Sequence, residues 1–207
     1  MRVNACVRCD GFPCADVDHS CYVVPDVDVA PADVSIVMIS EGVPANPTDY
    51  YYAGGEALFE QTTVQAFVDA GVTVASIQDI LDRGVYLTTA VKCGKIGYGI
   101  KAAPIKTCSH ILEKELDLFP NVRAYMLMGD VAIKAINYIA KRAGGGRVIP
   151  AGSTYKIRGA AYAFRGARAF PSHLQAGASY LIEKSKRQMI AEDIAAAFDL
   201  VEGKGEA

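Results

Sequence analysis

The chain has 207 residues, 51% of them hydrophobic and 21% charged, with a formal net charge of −2. That is an ordinary globular composition with length enough for one full core, and it carries no internal repeat, linker or low-complexity segment. No basic leader followed by an apolar run opens it, and no stretch approaches the length of a bilayer crossing, so a cytoplasmic protein with no membrane partner is expected.

In chain order, the first segment is rich in cysteine: Cys6, Cys9, Cys14 and Cys21 fall within 21 residues. Val34 to Ile39 is a continuous apolar run that predicts a buried strand, ended by the loop Ser40-Glu-Gly-Val-Pro44. A polar, tyrosine-rich stretch (Asp49, Tyr50, Tyr51, Tyr52) leads to Gly54-Gly55. Phe59, Val64, Phe67 and Val68 have helical spacing that stops at Gly71. Val72 to Ile77 is a short strand or a loop, and Ile77, Ile80 and Leu81 begin a second helix. Val85 to Val91 is a second strand, followed by a glycine-rich loop (Gly94, Gly97, Gly99) and a helix from about Ile105 to Leu118. Arg123 to Met128 is a third buried strand, and Gly129-Asp130 opens a helix that Gly144-Gly-Gly146 breaks. Val148 to Phe170 reads as short strands with glycine turns. The tail from about Ala178 to Val201 reads as one amphipathic helix facing inward through Ile182, Met189, Ile190, Ile194 and Phe198.

Strands alternating with helices predict a three-layer α/β/α fold with a central, mainly parallel sheet. The chain is expected to form one domain over 1–207, with residues 1–30 docking on the core. In open sheets of this kind ligands sit at the carboxyl ends of the strands, so the loops after Ile39, Val91 and Met128 should converge on a site.

Cys93 and Cys108 stand 15 residues apart just after the second strand. A C-x2-C pair (Cys6, Cys9) with a distant second pair reads as a metal or cluster site closed by the fold, favoured over disulfides for a reduced compartment. Zinc is the alternative to an iron–sulfur cluster.

Charge is segregated. Residues 1–82 carry thirteen acids against two basic residues, Arg2 and Arg8. Val131 to Ile182 has no acid and holds Lys134, Lys141, Arg142, Arg147, Lys156, Arg158, Arg165 and Arg168; Val91 to Leu112, also acid-free, adds Lys92, Lys95, Lys101 and Lys106. This pattern predicts a positive face on a near-neutral protein, with a phosphate backbone as partner. Lys92, Lys95 and the Gly94–Gly99 loop suit approach to phosphates, although the glycine spacing of a Walker A or dinucleotide fingerprint is absent.

Among single residues, Glu41 sits one position past a buried strand, where a carboxylate can deprotonate a water or bond its own loop. Phe59 and the three tyrosines are candidates to stack on a base. Ser172 and His173 lie in the turn Phe170-Pro-Ser-His-Leu174, placed to meet a phosphate or an extruded base. No Ser-His-Asp or Cys-His order supports nucleophilic catalysis.

Taken together these stretches resemble the uracil-DNA glycosylase superfamily, in particular its iron–sulfur branch. Ser40-Glu-Gly-Val-Pro44 resembles a Gly-Glu-x-Pro-Gly motif, and Tyr86-Leu-Thr-Thr-Ala-Val-Lys-Cys93 a strand ending in Thr-Asn-x-Val-Lys-Cys. Tyr125-Met-Leu-Met-Gly-Asp-Val-Ala132 resembles a strand–Leu-Gly–helix step, and Phe170-Pro-Ser-His-Leu174 a His-Pro-Ala-Tyr-Leu loop. The resemblance implies excision of uracil or another damaged base from DNA by hydrolysis of the N-glycosidic bond. It implies Glu41 and His173 as catalytic, Phe59, Thr89 and Gly42 as base-binding, and Lys92, Lys95 and Ser172 as DNA-binding. It implies a [4Fe-4S] cluster drawn from Cys6, Cys9, Cys14, Cys93 and Cys108, in a monomer. Thr89 stands where the family has asparagine, and Phe170 where it has a histidine. A binding module of the same fold that cuts no bond is the alternative.

Overall fold

The computed structural model describes residues 1–97 and 99–204. Position 98 of the expected Gly94–Gly99 loop therefore lies outside the described residues. Six strands form one sheet: β1 (Val17–Asp18), β2 (Ile36–Val43), β3 (Val85–Lys95), β4 (Ala124–Met128), β5 (Tyr162–Phe164) and β6 (Ala167–Ser172). Their spatial order is β1-β3-β2-β4-β6-β5. The four inner strands are parallel, and β1 and β5 close the edges antiparallel. The near-continuous burial of β2, β3 and β4 follows from this, because a parallel strand covered on both faces has no solvent side on which to alternate.

The helices are α1 (Val3–Cys6), α2 (Leu58–Asp69), α3 (Ile77–Asp82), α4 (Ala102–Leu116), α5 (Asp130–Arg142), α6 (Thr154–Ile157), α7 (Ser179–Ile182) and α8 (Lys184–Glu202). One face of the sheet packs α4 and α5 through Ile105, Leu112, Leu116, Ile136 and Ile139. The other packs α2 and α8 through Phe67, Ile190, Ile194 and Phe198. The result is the three-layer α/β/α arrangement. No helix among the described residues is long and apolar enough to cross a membrane.

Several boundaries move for local reasons. Val72 to Ala75 form a loop, because Ser76 caps α3 and Asp79 returns the bond in a capping box. β3 runs on to Lys95, since β1 pairs with Gly94 and Lys95 and extends the ladder. The tail is two helices: Glu183 takes an extended conformation (φ −111°, ψ 98°) between α7 and α8. Ile182, expected to face inward, is consequently 76% exposed.

The registers set the strand ends. Ile39 pairs with Thr88 and Leu127, and Leu127 with Pro171, so β4 and β6 end side by side while β2 and β3 run on past them to Val43 and Lys95.

Candidate active-site rim and cysteine cavity

Cys9, Cys14, Cys93 and Cys108 converge on one apolar cavity with Phe12, Val17, His19, Tyr22 and Ile111. The β1–β3 pairing and the Val23 N–H donating to Lys92 O (2.8 Å) hold the N-terminal segment there, and within it the Cys9 N–H donates to the Tyr22 hydroxyl (2.8 Å). The Lys92 N–H donates to Cys108 Sγ at 3.2 Å. His19 bridges the site, with Nε2 2.6 Å from Cys14 O and Nδ1 3.4 Å from Cys93 Sγ. The carbonyl can only accept, which places the ring proton on Nε2 and leaves Nδ1 to accept from the thiol.

Burial, then the neighbouring thiols, pushes Cys93 up to about 12, and burial outweighs the lowering effect of Lys92 to push Cys108 up to about 11. Burial likewise raises Cys14. Four cysteine sulfurs gathered at one cavity are the donor chemistry that a cationic metal centre takes up, since coordination deprotonates a thiol outright. Among the described residues, however, no three His, Cys, Asp or Glu side chains form a group able to hold a single metal ion. The thiols line one cavity without closing on one point.

Cys6 is not at this cavity. It is exposed at the end of α1, with its thiol 3.6 Å from Arg2 O. The N-terminal pair is thus Cys9 and Cys14, a C-x4-C spacing in place of the expected C-x2-C. Cys21 lies in the opposite core, donating to Asp18 Oδ2 and Ala45 O, each at 3.4 Å.

Glu41 lies on the extension of β2 past the expected strand end. Its half-buried carboxylate reaches the start of α5, where the Asp130 and Val131 N–H groups face it. Burial nonetheless raises its pKa, the largest influence, against the lowering effect of these N–H groups and of Lys95. Room for the side chain comes from Gly129, whose φ of +97° favours glycine. Gly42 is likewise confined, because a Cβ there would lie 2.5 Å from Ile100 Cδ1.

The base-side candidates meet a cluster that composition alone does not reveal. Tyr50 and Tyr51, expected as rings to stack on a base, are buried. Tyr51 bonds Ser40 Oγ and accepts from Gln175 Nε2 at 3.0 Å, and Gln175 Oε1 accepts from Ser40 at 3.2 Å. The Phe59 ring centroid is 5.3 Å from that of Tyr51, and Gly177 backs its other side. Thr89 is fully buried, and its hydroxyl and that of Tyr50 both lack a well-formed hydrogen bond. Gln175 had no motif to mark it; its signal was a polar residue directly after the Phe170–Leu174 turn.

Two residues expected at a phosphate backbone lie elsewhere. Lys92 is 0% exposed and pairs with Glu115, which is equally buried. Glu115 Oε1 also accepts from the Tyr86 (2.6 Å) and Thr88 (2.8 Å) hydroxyls, and Lys92 Nζ donates to Thr88 Oγ1 (2.5 Å). Ser172 is buried too, donating to Asp193 Oδ2 at 2.5 Å, and Asp193 in turn pairs with Arg158. Neither side chain reaches solvent, so neither is placed to touch DNA. His173 is half-buried with Nε2 unpartnered, and burial, with Lys186 and Arg158 nearby, lowers its pKa and favours the neutral ring. Lys95 remains partly exposed at the end of β3 beside Glu41.

No protein-family model matches the chain. Over 58 residues it is 38% identical to a Type-5 uracil-DNA glycosylase of Thermus thermophilus. The similarity covers 28% of this chain and 26% of that protein. A partial likeness to a uracil-DNA glycosylase, on an α/β/α fold, is what the comparison establishes.

Proposed function

We propose that this chain is a DNA base-excision glycosylase that hydrolyses the N-glycosidic bond of uracil or another damaged base. The observation that carries the proposal is Glu41, a half-buried carboxylate at the carboxyl end of the central strand, steered by the N–H groups that open α5. In its ionised form it accepts a proton from a water, whose oxygen attacks the sugar C1′. The bond from C1′ to the base nitrogen breaks, its electron pair leaves with the base, and the sugar passes through an oxocarbenium-like state. A carboxylate whose pKa is raised by burial is, in its ionised form, a stronger base than an exposed glutamate.

His173, neutral by burial, is a hydrogen-bond partner for the departing base once rotation frees Nε2. Phe59 supplies an aromatic edge, Gly42 a backbone without side-chain bulk, Thr89 a hydroxyl, and Lys95 a charge for phosphate. The single-domain reading, with residues 1–30 docked on the core, belongs to this proposal.

Cys9, Cys14, Cys93 and Cys108 would hold a [4Fe-4S] cluster, which when bound ties the N-terminal segment to β3 and α4. A zinc ion fits less well, because it needs thiolates about 2.3 Å from one centre, and these thiols stand around a cavity instead. The Lys92 N–H at Cys108 orients that sulfur.

A second reading, a nucleic-acid-binding module that cuts no bond, is favoured by one observation. Tyr51 fills the space beside Phe59, and Tyr50 covers Thr89, so a base enters only if these rings move.

Anaerobically purified protein should show a brown visible spectrum with iron and sulfide, and should form abasic sites in a uracil-containing oligonucleotide. Glu41→Gln should abolish cleavage while sparing binding. Cluster and binding without cleavage in the unaltered protein would instead establish the second reading; a colourless zinc protein would overturn the cluster assignment.

A further inference from the structure

Sorting the cations of the acid-free segment by partner changes the picture of a uniformly basic face. Lys134 pairs with Asp130, Arg142 with Glu113, Arg158 with Glu192 and Asp193, and Arg165 with Glu113 and Asp117. Arg168 is spent on the Tyr162 and Ala160 carbonyls and lies over the Phe170 ring. Lys141, Arg147 and Lys156 have no acidic partner among the described residues. Two of these three, Lys141 and Arg147, line one cavity of about 700 Å³, and Lys156 directly precedes Ile157, which also lines it.

The cavity is built rather than accidental. One wall is a single face of α5, where Asp130, Ile133, Lys134, Asn137, Tyr138 and Lys141 recur at helical spacing. The opposite wall is the 145–152 loop, which Asn137 pins by bonding both the Ile149 N–H (3.0 Å) and the Ile149 carbonyl (2.9 Å). Ile133, Ile149 and Ile157 give it an apolar floor and Tyr138 an aromatic side. Because Lys134 is neutralised by Asp130, the free charge collects toward the carboxyl end of α5, beside Gly145 and Gly146, where no side chain blocks a ligand. The volume is that of a small-ligand site.

We infer that this cavity binds a nucleoside phosphate, its phosphate toward Lys141 and Arg147 and its planar ring between Tyr138 and the isoleucine floor. Two sources share that chemistry: a free nucleotide, and one unit of a single strand. The inference concerns a site apart from Glu41 and requires neither base excision nor a cluster.

The test is a titration of the full chain with labelled isoleucine methyls, using thymidine monophosphate, a (dT)8 strand and inorganic phosphate as probes. The methyl signals of Ile133, Ile149 and Ile157 should shift while those of Ile39 and Ile194 stay. The double variant Lys141→Glu/Arg147→Glu should weaken binding by at least about tenfold, since two charge-assisted phosphate contacts are lost. Both side chains are exposed, and an unchanged circular dichroism spectrum confirms the fold of the variant. Saturation by the monophosphate assigns the site to free nucleotides; shifts with the strand alone assign it to nucleic acid. No shift with either, equal shifts with inorganic phosphate, or undiminished binding by the double variant would overturn the inference. Glu41→Gln should titrate like the unaltered chain, which separates this outcome from any failure of the excision assay.

Discussion

Gly129 and Glu41 share one space: a Cβ on Gly129 would lie 2.6 Å from Glu41 Oε1 and 2.9 Å from its Cγ. The residue that opens α5 is therefore fitted to the carboxylate on β2, and the two strand ends are coupled at the point where the proposed chemistry occurs. Gly129→Ala should both displace Glu41 and force a side chain into a backbone region suited to glycine. A loss of about 1–3 kcal/mol in urea denaturation is expected, with base excision reduced toward the level of Glu41→Gln. Wild-type excision by Gly129→Ala would detach Glu41 from catalysis.

The raised pKa of Glu41 sets a direction with pH. The folded protein holds this proton more tightly than the unfolded chain does, so its contribution to stability is full below the ordinary glutamate range. It falls as pH rises from that range through the raised folded value. Activity runs the other way, because the proposed base works ionised. The acid limb of the excision rate should lie above the usual carboxylate range. Comparing the pH dependence of urea midpoints for the unaltered chain and Glu41→Gln should show a flatter curve for the variant over the same window.

Lys92 and Glu115 form an ion pair with no exposure on either side. Removing one partner leaves a buried charge uncompensated, a loss of about 3–5 kcal/mol for Lys92→Met. The double variant Lys92→Met/Glu115→Gln should recover much of that loss, although Tyr86 and Thr88 then keep a weaker acceptor. A urea-denaturation double-mutant cycle measures the coupling, and independent, additive effects would contradict it.

The cysteines divide into four at the cavity and two away from it. Serine at Cys9, Cys14, Cys93 or Cys108 should lower iron and sulfide content per chain and bleach the visible spectrum. Cys6→Ser and Cys21→Ser should leave both unchanged. A dependence on Cys6 equal to that on Cys14 would mean that the N-terminal segment rearranges around its ligand.

The parallel sheet was legible because the apolar runs 34–39 and 124–128 and the β-rich run 85–91 alternate with helical spacing, and Glu41 because it stands just past the first of them. The misplacements share a cause, which is partners distant in sequence. Nothing near Lys92 announces Glu115, 23 positions later on α4, so a lysine in a glycine-rich, acid-free stretch reads as a phosphate contact. Ser172 meets Asp193 in the same way, 21 residues on. The spacing of Cys6 and Cys9 fits a local ligand pair, but the turn after α1 carries Cys9 inward and leaves Cys6 outside. Tyr51 sits in a polar stretch, and only Ser40 and Gln175, 11 and 124 residues away, supply the bonds that let its hydroxyl be buried.

The antiparallel clasp between β1 and the end of β3 also orders events in time. During synthesis Cys9 and Cys14 emerge well before Cys93 and Cys108, and at typical elongation rates that interval is on the order of 5–20 s. Throughout it the leading thiols lack the strand that shelters them, open to solvent and to any oxidant. The shelter of these thiols is therefore completed only when β3 arrives and the first 24 residues gain a strand to hold.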